Sequence, residues 1–73
     1  MSTQITPEEI DNRFTYHKPK EDQLPRYEEL RSAGRTLAKL IIELTPGSRE
    51  QSLAITKLEE AIMWANAAIA RRE

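Results

Sequence analysis

Residues 48–72, SREQSLAITKLEEAIMWANAAIARR, constrain this chain more than any other stretch. They contain neither Gly nor Pro, and Ala, Leu, Glu and Lys, all strong helix formers, dominate. Ser48 stands at an N-cap position with Gln51 three residues on, an S-x-x-Q capping box, and Pro46-Gly47 stops whatever precedes it. The spacing predicts one helix over 48–72, roughly 36 Å long at 1.5 Å per residue. Ala54, Ile55, Leu58, Ala61, Ile62, Ala65, Ala68 and Ile69 recur at intervals of three and four and mark a face that buries against a partner. Trp64 falls on a neighbouring face, with Leu53, Lys57 and Ala67. One partner helix does not cover both faces. Either an interface between chains buries Trp64, or the N-terminal arm of its own chain half-covers it.

The partner helix is found upstream. Pro25 is a typical first-turn residue, and Tyr27, Leu30, Gly34, Leu37, Ile41 and Leu44 follow a 3,4,3,4,3 seam over residues 25–45. Gly34 in mid-seam costs about 1 kcal/mol relative to Ala, so it marks a close approach of another backbone or a ligand. The short Pro46-Gly47 connection returns the chain antiparallel. Further upstream, Thr6-Pro7-Glu8-Glu9 combines an N-cap, a first-position Pro and a T-x-x-E capping box. Ile5 and Ile10 stand where a hydrophobic staple would. A short helix over about 7–13 follows, too short to be stable undocked. Residues 1–5 are expected to fray, and residues 14–24, FTYHKPKEDQL, form an irregular aromatic loop. The expected fold is one all-α domain over residues 1–73, a short N-terminal helix plus a long antiparallel helical hairpin that assembles with itself. Seventy-three residues build only a small core alone.

Composition removes several classes of function. With no Cys and one His, thiolate and ordinary zinc sites drop out. No apolar run reaches bilayer length, and the first residues lack the hydrophobic region of a signal peptide, so a soluble protein of the cell interior is expected, without a membrane partner. Eleven basic against 12 acidic residues, net −1, argues against duplex nucleic acid as partner. His17 stands alone, and the Ser and Thr residues sit mostly at caps or on helix surfaces, so no nucleophile–base–orienter set can be assembled. The adjacent pairs Glu8/Glu9, Glu28/Glu29 and Glu59/Glu60 diverge on a helix. The chain does not read as an enzyme, and no cofactor is expected.

What remains is a basic ridge. Arg31, Arg35 and Lys39 stand at i, i+4 and i+8, a like-charge arrangement that costs a helix about 0.2–0.5 kcal/mol per pair. A solvated face, neighbouring carboxylates such as Glu59 or Glu60, or an anionic ligand would each account for it. Near the aromatic loop, with Phe14, Tyr16 and His17, the ridge offers donors for a phosphate beside rings on which a base can stack. A plainer reading makes Phe14 and Tyr16 packing residues of a structural or regulatory oligomerisation module.

Asn12–His17 (NRFTYH), Arg26-Tyr27-Glu28, Ser48-Arg49-Glu50, Ser52-Leu53-Ala54, Thr56–Ala61 (TKLEEA) and Trp64–Arg71 (WANAAIAR) together resemble the small phage anti-CBASS proteins. Those are sponges that sequester the cyclic oligonucleotide signals of bacterial immunity. The resemblance spans nearly all of the chain from Asn12 onward. It implies a homohexamer in the host bacterial cytoplasm, with cyclic dinucleotide pockets between protomers and a separate cyclic trinucleotide site. Carried over by position, Tyr16 stacks on a base of the dinucleotide and Arg31 contacts that ligand. Phe14, His17 and Arg35 complete the expected dinucleotide site, and Arg71 and Arg72 fall at the trinucleotide site. The chain departs from the family pattern at Lys18 and at Leu24-Pro25.

Overall fold

Capping groups decide where the helices begin. In the computed structural model, which describes residues 5–73, the Thr6 hydroxyl accepts from the Glu9 N–H at 3.1 Å and Pro7 takes the first position of α1 (Pro7–Phe14). The Ser48 hydroxyl accepts from the Gln51 N–H at 3.1 Å and opens α3 (Arg49–Arg72). Between them lies α2 (Leu24–Leu44), with Pro25 in its first turn. Each capping box is half made. The Gln51 amide, instead of returning to Ser48, donates to the carbonyl and hydroxyl oxygens of Thr45 at 3.1 and 3.0 Å and sews the connection between α2 and α3. The Glu9 carboxylate, instead of returning to Thr6, is held by two arginines. A charge-assisted bond to a guanidinium outweighs one to a neutral N–H.

The described residues are all-α, and α2 and α3 form an antiparallel hairpin. Of the segment expected to fray, residues 1–4 lie outside the described residues; Ile5 has no regular structure and is half exposed. The α2 side of the hairpin seam is Tyr27, Leu30, Gly34, Ala38 and Ile41, against Ile55, Leu58, Ile62, Ala65 and Ile69 of α3. Its spacing, 3,4,4,3, differs from the expected heptad: Ala38 takes the place of Leu37, and Leu44 is 70% exposed. The cause is the small pair Gly34 and Ala38. A Cβ built on Gly34 would lie 2.9 Å from Ile62 Cγ1, so the helices meet more closely here than a Leu would allow. Leu37 moves to the flank, on the same side as Leu40 and Leu44.

The hairpin covers its seam only in part. No hydrophobic side chain among the described residues is fully buried, and the one buried residue is polar, Gln23. Gln23, the N-cap of α2, ties the preceding loop and the end of α3 together. Its Oε1 accepts from the Lys20 N–H, and its Nε2 donates to the Ile69 carbonyl and to the Glu73 carboxylate. Arg26 grips the same carboxylate at 2.8 and 2.6 Å. At that end α1 also docks, where Asn12 Nδ2 donates to the Arg71 carbonyl at 3.2 Å.

Candidate functional site

The backbone after α1 is braced on both sides of Tyr16. Thr15 is extended and its hydroxyl donates to the Asp11 carbonyl; His17 Nε2 donates to the Asn12 carbonyl at 2.7 Å. With its neighbours fixed, Tyr16 projects into solvent, 81% exposed, over a concavity of about 460 Å³. Its walls come from Arg13 on α1 and His17 in the loop after it, Tyr27 on α2, and Met63, Asn66, Ala70 and Arg71 on α3. The Oδ1 of Asn66 in that wall is buried and has no hydrogen-bond partner among the described residues. An aromatic ring held out over arginines, tyrosine and an unspent amide acceptor suits a planar base carrying a phosphate.

A second concavity, about 530 Å³, opens on the outer face of α3. Phe14 and Trp64, 86% and 62% exposed, line it together with Arg13, Arg71 and Arg72. Arg13 and Arg71 thus stand in both walls. Phe14 is the last residue of α1, and the chain turns immediately after it, so consecutive aromatics Phe14 and Tyr16 face different concavities.

The carboxylate beneath these arginines is Glu9. Arg72 Nη1 and Nη2 donate to its two oxygens at 2.9 and 2.8 Å, and Arg13 Nε donates at 2.7 Å. The hydrogen bonds from Arg72, then the one from Arg13, lower the Glu9 carboxyl from 4.5 to about 2, and Glu9 raises the Arg72 guanidinium in return. Glu73 is likewise lowered to about 2, first by Arg26 and then by Gln23.

The expected site residues are therefore brought together in part. Tyr16 and His17 share the first concavity with Arg71; Phe14, Trp64 and Arg72 share the second. Arg31 lies one turn beyond Tyr27 on α2, outside the concavity wall, and pairs with Glu28 at 2.6 Å. Arg35 and Lys39 have no ion pair among the described residues, and Glu59 and Glu60 do not reach the ridge. Arg13, Asn66 and Glu9 escaped the sequence reading. Arg13 adjoins the aromatic segment and was within reach of it. Glu9 reads as a capping residue, and its 63-residue separation from Arg72 leaves no local signal.

A family model described as the Acb2/Tad1 hairpin domain matches residues 6–70. No curated protein and no solved structure matches the chain.

Proposed function

Since the chain belongs to the Acb2/Tad1 hairpin-domain family, the phage anti-CBASS sponges that bind cyclic oligonucleotides, we propose that it sequesters cyclic di- and trinucleotide second messengers and releases them unaltered. The observation that carries this reading is the pair of aromatic–basic concavities sharing Arg13 and Arg71. Tyr16 supplies a stacking surface on one side, Phe14 on the other, and the arginines supply donors for phosphates. The first concavity takes the cyclic dinucleotide, the second, with Arg71 and Arg72, the trinucleotide. Sequestration needs affinity and abundance but no catalytic group. The His17 Nε2–H and the Thr15 hydroxyl both donate to backbone carbonyls of α1, which fixes the loop that carries Tyr16.

The dinucleotide site is completed between protomers of a homo-oligomer, a hexamer by family precedent. Supporting this, Arg31 and Arg35 lie along the α2 face beyond the protomer's own concavity, where a ligand seated between two chains would meet them. The protein acts in the cytoplasm of the phage's host, where such signals are made.

Thermal unfolding with and without cyclic dinucleotide tests binding, since a ligand at 100 times its dissociation constant adds about 2.7 kcal/mol. Chromatography of the ligand after denaturing the complex tests its fate. Intact cyclic ligand is expected. Linear products would make the protein an enzyme, and an unchanged midpoint with every cyclic oligonucleotide would leave a structural oligomerisation module.

A further inference from the structure

Arg72 is not free to meet a ligand. Its two terminal nitrogens make the bidentate contact that a guanidinium makes with phosphate, and they make it with Glu9. The carboxylate is the more sheltered partner, with 22% of its side chain exposed against 56% for Arg72, and it also holds Arg13 Nε. Glu9 and Arg13 stand at i and i+4 on α1, so that contact persists if Arg72 turns away. Exchange of Arg72 onto another anion therefore leaves Glu9 paired rather than stranded. The α1 helix also stays docked, because Asn12 holds the Arg71 carbonyl independently.

We propose that Glu9 is a built-in surrogate anion that occupies Arg72 until a cyclic trinucleotide phosphate displaces it, and that it thereby sets the affinity of the Phe14/Trp64 concavity. This rests on the reading of that concavity as the trinucleotide site. The depressed Glu9 carboxyl is consistent with the arrangement: it stays ionised, and competes, throughout the neutral range. Binding becomes an exchange of one oxyanion for another at Arg72, which discriminates against weak single anions and admits a ligand that also stacks on Phe14.

Calorimetric titration with cyclic triadenosine monophosphate tests this on wild type, Glu9→Gln, Arg72→Ala and the double variant. Circular dichroism and thermal unfolding report that each variant is folded. Glu9→Gln is expected to bind about tenfold more tightly than wild type, equivalent to about 1.4 kcal/mol, and the gain is expected to vanish in the Arg72→Ala background. Binding by Glu9→Gln alone, with a silent wild type, would equally support the proposal. If wild type binds and Glu9→Gln binds no better, or if the gain persists without Arg72, the surrogate-anion role is overturned while the site reading stands. If none of the proteins binds, both fall.

Discussion

Tyr16 owes its position to its neighbours. Thr15 and His17 are bonded to carbonyls of α1, and the ring between them is left over the concavity. A side chain so exposed contributes little to folding, so Tyr16→Ala is expected to leave the melting temperature near wild type. It should weaken cyclic dinucleotide binding by about tenfold or more, since a base–aromatic stack is worth about 1–3 kcal/mol. Arg31→Ala should weaken the same ligand through loss of a phosphate contact of about 1.5–3 kcal/mol. Its pairing with Glu28 is exposed and near neutral for stability. Trinucleotide binding should survive both changes. Titration of the two variants with both ligand classes checks this, and dinucleotide affinities equal to wild type would reject the assignment. Tyr16 and the arginines were legible in the sequence as residue types. The separation of Phe14 from Tyr16 was not, because it depends on the residue at which α1 stops.

The elements are held by two clasps and one close approach. Gly34 faces Ile62 at a distance a methyl group cannot share. Gly34→Ala would gain about 1 kcal/mol of helix propensity and lose about 1–3 kcal/mol to overpacking. A modest fall in melting temperature is expected, and Ile62→Ala should remove the overpacking part. In a double-mutant cycle on denaturant unfolding, Gly34→Ala should therefore be stabilising in the Ile62→Ala background. Additive changes would mean that the helices do not meet there. The clasps are Glu9 with Arg72 and Glu73 with Arg26, and both tie the C-terminal end of α3 to another helix. Both carboxyls are lowered from 4.5 to about 2 in the folded chain. Depressed values contribute stability above pH 4.5 that fades as the pH falls toward 2. Melting temperatures between pH 7 and pH 2 at low salt should decline within that window, and less steeply in a Glu9→Gln/Glu73→Gln variant. Equal slopes would show that neither clasp holds in solution. Caps, helix order and hairpin were all readable from local pattern. The clasps were not, because their members lie 63 and 47 residues apart.

The whole molecule is more open than its size requires. Its accessible surface is 6190 Å², where a compact monomer of 8.4 kDa exposes about 4,600 Å². Its radius of gyration is 15.6 Å, against about 11 Å for a compact chain of this length. Leu37, Leu40 and Leu44 on α2 and Leu53 and Trp64 on α3 stand exposed in addition to the half-covered seam. Such a surface is expected to be buried between copies, and sedimentation at micromolar concentration should show an oligomer. Leu40→Glu should dissociate it, and Trp64→Ala should weaken it. At 62% exposure within the protomer, Trp64 contributes mainly to assembly rather than to the fold of its own chain. A wild type that sediments as a monomer would remove this expectation. The sequence by itself determined the helices, their turns and the antiparallel hairpin, because capping groups and apolar periodicity act over one or two turns. It also carried the family resemblance that the hairpin-domain match to residues 6–70 bears out. Only the tertiary structure decided that Ala38 rather than Leu37 enters the seam, that Glu9 leaves its cap for Arg72, and that two concavities share Arg13 and Arg71. Those outcomes depend on how closely two helices approach and on which charges meet across the chain, and neither quantity is encoded in residue spacing.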